Sequence, residues 1–500
     1  LDSHEPPGNW ENERVRDRQR RTIAVSQRPL ISAKTLVTIV GVFVIPVTAG
    51  IMLLFYDAAL VVVITVALYA SLWLLFNPFP ALLLYTVLVA VRPQEGIAQL
   101  EMIHVERLCA VLAMLGWGLQ AAIGKRVRPV SYGLTGWFLA FVVVCFLSIF
   151  TSVWKLAAFN AWIELLKLGV LFFLVSQLVD TPKRLFIFLL IFAIGHVWMG
   201  SESIRLYFSE GYDYVRMDIL RATTTSVSRG DPNSLAASLL LATCLAIYTF
   251  RSHRNLLWRV SWLLTIAVTS VIVVISGSRA AMVACLFFLF YLWATSRRKV
   301  PLGIVLILVV IVGWFAMPSQ YQERFLTIFD LERNPSAAES ARGRIRGLRV
   351  GAEMFLDRPL LGVGIGNFST ARGMIYSPPE SPSWFRSHNL LAQVGGETGI
   401  LGIVTFGGFV VACMRWASRV RRRLRSAHGA EARLVFGVSS ACLAMCWILL
   451  FLGLFGHNLM RYNWYLNAGL ISACAALAGP LAEEIEPAEA SRDLNTRGDT

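Results

Sequence analysis

The sequence predicts an all-α polytopic membrane protein, with about 12–14 transmembrane helices and one large, partly helical loop on its outer face. Three observations carry this prediction. Apolar residues make up 56% of the 500 residues and charged residues only 15%, against roughly 25% charged in a soluble domain. The mean hydropathy is +0.61. The apolar residues gather into stretches of near-spanning length, and clusters of Lys and Arg stand in a few short loops between them. A soluble globular enzyme and a largely disordered chain are both excluded.

In chain order, residues 1–34 are polar and basic, with Arg14, Arg16, Arg18, Arg20 and Arg21 close together. They lack the short apolar core and cleavage site of a signal peptide and read as a cytoplasmic tail. Apolar segments follow at about 35–55, 57–77, 79–91, 103–122, 131–150, 157–178, 183–200, 232–250, 258–276, 280–296, 301–316, 389–414, 433–455 and 463–480. Each is measured against the roughly 20 residues needed to cross the hydrocarbon core. The third is short and has Pro78 and Pro80 at its entry, hence a range rather than one count. The chain thus divides into a tail at 1–34, a bundle at 35–316 containing a smaller outer loop at 201–231, a large outer loop at 317–388, C-terminal spans at 389–480 and a cytoplasmic tail at 481–500.

Charge orients this plan. The net charge of +15 would suggest a nucleic-acid partner in a soluble protein. Here no nucleic acid is expected, because the cations sit in loops. Lys125, Arg126 and Arg128 share one, and Lys183 and Arg184 another. Arg251, Arg254 and Arg259 mark a third, Arg297, Arg298 and Lys299 a fourth, and a fifth runs from Arg415 to Arg433. With fourteen spans all five fall on the side of the N-terminal tail, which the positive-inside rule makes cytoplasmic. The eight cysteines lie in or beside apolar segments with no CxxC pair and no zinc spacing, so free thiols and no metal site are expected.

The large outer loop breaks the charge bias with Arg324, Arg333, Arg342, Arg344, Arg346, Arg349, Arg358, Arg372 and Arg386. A solvated helix paired with Glu339, Glu353 and Asp357 is one explanation. The other is an anionic ligand held by guanidinium forks suited to phosphate. Ser276-Gly277-Ser278-Arg279 places a cation against an apolar run, either snorkelling to headgroups or functional. Residues 344–357 read as an amphipathic surface helix that stops before Pro359. The glycines of the following GVGIG run suit a tight turn beside a ligand. Ser387-His388-Asn389 stands where the chain re-enters the membrane, either as a helix cap or as a proton-exchanging site, with Glu397-Thr398-Gly399 inside the next span. His457 and Arg461, between the last two spans, are equally suited to a cavity or to an interfacial anchor next to Tyr462 and Trp464. Tyr207, Tyr212 and Tyr214 suit either sugar stacking or interfacial packing. Topology brings Arg279, Arg344 and His388 to one leaflet, where two cations and a base suit a lipid pyrophosphate donor and an acceptor hydroxyl.

These motifs, in this order, resemble the O-antigen ligase/polymerase superfamily of bacterial polytopic membrane proteins. The resemblance rests on SGSR ending at Arg279, Gly343-Arg344, the block Pro359-Leu360-Leu361-Gly362-Val363-Gly364-Ile365-Gly366-Asn367-Phe368, His388-Asn389, and Glu397 with Gly399. It covers about 220–410; Arg92-Pro93-Gln94-Glu95 and Asp231-Pro232-Asn233 also look like blocks of ligase-like members. It implies a GT-C-like fold in the bacterial inner membrane, both termini cytoplasmic and the active site periplasmic. It implies metal-independent, inverting transfer of a glycan from undecaprenyl pyrophosphate to a lipid-linked or saccharide acceptor such as lipid A–core, among membrane lipids and without a cofactor. His388 would be catalytic. Arg279 and Arg344 would bind pyrophosphate, with Arg342, Asn389, Glu397, His457 and Arg461 as further substrate contacts. Leu348 stands where an aromatic residue is often found four positions after the arginine. A polymerase of the same fold is the alternative. A transporter or flippase is weaker, since Glu164 and Lys167 are the main charges deep in a span and no two-fold repeat is evident.

Overall fold

The computed structural model describes residues 40–93, 104–124, 132–209, 215–216, 219–224, 231–330, 335–427 and 429–483. The arginine-rich tail, the loop at Lys125–Arg128, Gln94, Glu95, Tyr212, Tyr214, Arg333 and the segment after Glu483 lie outside these residues. Seventeen α-helices are described, with one two-stranded antiparallel ladder of two-residue strands, β1 Val215–Arg216 and β2 Ile219–Leu220.

The helices divide into two compact units at Phe76/Asn77. The first holds α1 (Ile45–Met52), entered through a π-helical turn at Val40–Val44, and α2 (Ala58–Phe76). The second holds α3 (Pro78–Ala90), α4 (Val105–Ala122), α5 (Tyr132–Leu147), α6 (Lys155–Leu178), α7 (Pro182–Ser209), α8 (Pro232–Thr249), α9 (Leu256–Ile275), α10 (Arg279–Thr295) and α11 (Lys299–Ala316). It continues with α12 (Ser319–Leu326), α13 (Pro335–Asp357), α14 (Phe368–Met374), α15 (Leu390–Arg423), α16 (Ala430–Gly453) and α17 (Tyr462–Glu483). Among the described residues ten helices are long and apolar enough to span a membrane, and four shorter apolar ones stand at the other positions expected from the sequence. The protein is therefore an all-helical polytopic membrane protein.

Burial sorts the spans. In α8 and α16 the apolar windows are 78% buried, whereas that of α11 is 0% buried. The first two pack against each other at the centre, and the last presents Val305, Ile307, Leu308 and Val312 outward. Small residues permit close approach, as where Gly469 of α17 meets Val175 of α6. All eight cysteines are free.

Two long helices depart from the expected boundaries. The sequence placed the end of a span near 200, but α7 continues to Ser209. Its extension is tied to later segments: Ser203 donates to the Thr223 carbonyl at 2.8 Å and Tyr207 meets the Tyr321 hydroxyl at 2.7 Å. The second is α15, which has non-helical geometry at Gly399 (φ 64°, ψ −160°). The part at 400–423 is already long enough to cross the core alone, at about 1.5 Å per residue. The part at 390–398 is a separate short helix on top of it, against which α13 packs.

Candidate functional site

The site begins at that break. An α-helix interrupted at Gly399 frees backbone groups that burial would leave unpaired. The block at 359–366 pairs them. The amides of Val363 and Gly364 donate to the carbonyls of Gly396 and Glu397 at 2.9 and 3.0 Å. The amides of Ile400 and Leu401 donate to Pro359 and Leu360 at 2.8 and 3.4 Å. Gly362 and Gly364 have φ of 67° and 99°. A Cβ on Gly362 would overlap the Glu397 carbonyl group, and one on Gly399 would overlap that of Leu360. The sequence suggested that these glycines turn beside a ligand. Gly362 and Gly364 instead turn beside protein backbone, and Gly366 alone of the three faces the cavity described below. The Glu397 carboxylate accepts from the Gly366 amide at 3.0 Å and also from Phe368 N–H and Gln393.

Above this scaffold lies a cavity of about 1310 Å³. Five connections contribute to its wall: Arg92 after α3, Asp231 and Ser234 at the start of α8, Ser278 and Ala280 at the start of α10, the loop from α11 to α15, and Phe455–Asn463 between α16 and α17; Leu168, Leu241 and Leu449 line it from within α6, α8 and α16. If each of the fourteen apolar helices crosses once, all five connections fall on one face. The basic connections at Lys183–Arg184, Arg251–Arg259, Arg297–Lys299 and Arg415–Arg433 fall on the other.

His388 lines this cavity in a left-handed backbone conformation, φ 51°. Burial first, and then the Arg344 guanidinium, lower its pKa; Asp231 opposes them and Arg386 and Arg372 add to them. The lowered pKa favours the neutral ring, whose lone pair can accept a proton. Its centroid is 5.4 Å from that of His457. Arg386 Nη1 donates to His457 Nε2 at 3.0 Å, since a guanidinium has no acceptor. That places the His457 proton on Nδ1, which is buried without a partner. Burial, then Arg386, pushes the His457 pKa down to about 3.

Arg344 lines the cavity, its guanidinium 6.0 Å from the centre of the Phe455 ring. Burial and then the neighbouring Arg279 lower its pKa. Arg279 is 8% exposed and donates to Thr327 Oγ1 at 3.0 Å. It is absent from the cavity wall, although Ser278, which caps α10 through the Ala281 amide, and Ala280 belong to it. Arg342 is exposed and also off the wall. Asn389 caps α15 by accepting from the Ala392 amide at 3.0 Å and donates to the Leu454 carbonyl at 3.2 Å; it too is off the wall. Glu397, His457 and Arg461 are on it.

The arginines of the large loop divide between the two explanations. Arg324 donates to the Gly277 carbonyl at 2.8 Å, Arg358 to Thr151 at 2.5 Å, and Arg349 pairs with Glu353 at 3.1 Å. These three are structural. Arg344, Arg346 and Arg386 line the cavity, and Arg372 is buried behind Phe385, its guanidinium 5.6 Å from that ring's centre. Glu164 and Lys167 do pair, midway along α6.

Sequence reasoning missed the network opposite His388. Arg461 contacts Asp231 Oδ2 at 3.6 Å and the Ser234 hydroxyl, which in turn donates to Asp231. Burial disfavours the Asp231 carboxylate, but Ser234, Arg461, the Asn233 amide and Arg221 outweigh it and hold its pKa below the usual value. The Asp-Pro-Asn block was visible; its partner 230 residues away was not. Among the described residues no His, Cys, Asp or Glu side chains group as a metal site.

Residues 263–407 match the family described as O-antigen ligase (Wzy_C), so the resemblance read from Arg279 to Gly399 is shown for that segment. No curated protein matches the chain. A solved chain from work described as "Structural coordination of polymerization and crosslinking by a peptidoglycan synthase complex" covers 69% of this chain and 97% of its own, at 15% identity and a TM-score of 0.39. At that level it says nothing about chemistry.

Proposed function

We propose that this protein is an O-antigen ligase-type glycosyltransferase of the bacterial inner membrane. It moves a glycan from undecaprenyl pyrophosphate to an acceptor hydroxyl, on lipid A–core or a similar saccharide, at the periplasmic face. One observation supports the reading: a histidine and several arginines line one large cavity.

The chemistry follows from the groups present. Arg344, with Arg279 behind it, takes the charge of the pyrophosphate and stabilises it as leaving group. His388 accepts the proton of the acceptor hydroxyl as that oxygen bonds to the sugar C1 and the C1–O bond to phosphate breaks. Attack opposite the departing pyrophosphate inverts C1. Glu397 positions the loop through Gly366 and Phe368, and His457 with Arg461 frames the acceptor side.

The test is reconstitution in liposomes with a lipid-pyrophosphate glycan and candidate acceptors, followed by identification of the product. Glycan on lipid A–core supports a ligase, and a lengthened lipid-linked glycan assigns the protein to the polymerases instead. His388→Ala should lower transfer about 10²–10⁴-fold and Arg344→Ala about 10²–10³-fold, with insertion intact. EDTA should leave the rate unchanged, because guanidinium groups supply the positive charge. Full activity in the His388 variant removes it from the chemistry.

A further inference from the structure

We propose that Arg346, Arg372 and Arg386 form a second anion subsite, which takes a carboxylate or phosphate carried by the saccharide itself. The proposal rests on the glycan-transfer reading only for the identity of that saccharide. It begins from charge. A pyrophosphate diester carries two negative charges, which Arg344 and Arg279 match. Three cations beside them are left over.

Among the described residues no carboxylate forms an ion pair with any of these three. The acidic residues of the cavity wall are Asp231, Glu339 and Glu397. Asp231 is held by Arg461 and Ser234, and Glu397 by backbone amides. Glu339 pairs with none of the three, and Glu353 is taken by Arg349. Arg386 donates through Nη1 to a histidine and stands close enough to Glu397 to favour its charged form, without a hydrogen bond to it. Arg372 is 1% exposed and its Nη1 has no hydrogen-bond partner. A buried guanidinium with an orphaned donor is costly unless an anion completes it.

Geometry gives that anion a place. Arg346 and Arg386 both line the cavity, and Phe385, which lines it too, covers Arg372. Arg346 lies close enough to depress the pKa of Arg372. The cover is slight: Phe385 is 60% exposed and Trp384 54%, and no backbone hydrogen bond links residues 383–386 to the rest of the protein among those described. Turning one aromatic ring outward opens Arg372 to the same cavity. Guanidinium forks match carboxylate and phosphate equally, so the shared chemistry is an acidic sugar substituent.

The test uses the full chain purified in detergent. Binding of oligogalacturonate, of its carboxyl-reduced neutral counterpart and of mannose 6-phosphate is measured by calorimetry at low salt. At least one acidic probe should bind ten-fold or more tightly than the neutral one. Arg346→Gln, Arg372→Gln and Arg386→Gln should each erase at least five-fold of that preference, and Arg344→Gln should keep it. Equal binding of acidic and neutral probes overturns the subsite. So does a preference lost in Arg344→Gln but kept in Arg346→Gln, since the anion then sits with the pyrophosphate. If Arg372→Gln fails to fold, exposed Arg346 decides. In the transfer assay, a raised KM for acceptor in Arg346→Gln places the acidic group on the acceptor, and a raised KM for donor places it on the donor. Both KM values unchanged in a working transferase overturn the proposal. A protein that prefers acidic probes but transfers nothing leaves the subsite standing and sinks the transferase reading.

Discussion

His388 occupies a backbone region that a non-glycine residue adopts at a cost of roughly 1–3 kcal/mol, and Arg92, across the same cavity, does likewise at φ 56°. Strain at two residues of one wall is the pattern expected where side chains are aimed rather than merely packed. Burial and Arg344 lower the His388 pKa, and the sign matters for activity. The base is the neutral ring, so transfer is full above the lowered pKa and falls as pH drops through it. The acid limb of kcat/KM should therefore lie below pH 6.5, the ordinary histidine value; a limb above 6.5 contradicts His388 as the base. Asn389 has a simpler duty. Replacing it with Ala removes the cap of α15 and should cost about 1 kcal/mol, read as a lower midpoint of thermal unfolding in detergent. The type of these residues was visible in the sequence, whereas their direction was not. Arg279 reads as a cavity ligand because SGSR sits at a span end, yet packing against α12 turns its guanidinium to Thr327. Which way a long side chain turns depends on neighbours from distant segments.

At the scale of elements, the informative structure is α15 and the block threaded into it. All fourteen apolar helices were legible, because a span must be long, apolar and internally hydrogen-bonded whatever surrounds it. The break was not legible. Glu397-x-Gly399 reads as chemistry inside a span, but the glycine is there to admit the Leu360 carbonyl. Gly399→Ala meets both the left-handed backbone and that overlap. It should destabilise the fold by several kcal/mol, as strain and lost pairing add, and appear as loss of monodisperse protein after extraction. By contrast Gly407, which has open space around it, should tolerate Ala with little change.

For the whole molecule, the proposed function depends on sidedness. The connections that build the cavity and those that carry the short basic loops alternate along the chain. Single cysteines at Arg342 and Arg422, in a variant cleared of native thiols, should label from opposite sides of intact cells: the first with an impermeant maleimide, the second only after permeabilisation. Labelling of both from outside would break the topology. The pairing of Asp231 with Arg461 belongs to this scale too. It joins the start of α8 to the start of α17, and only the folded chain brings them together.

The threaded break also bears on biogenesis. Until residues 359–364 are in place, the 390–401 stretch has two amides and two carbonyls with nothing to bind, each costing several kcal/mol in a dry setting. That stretch is made after the block that completes it, so the order of synthesis delivers the mate first. A circular permutant opened between 380 and 385 would reverse the order and leave the newly made helix waiting for most of translation.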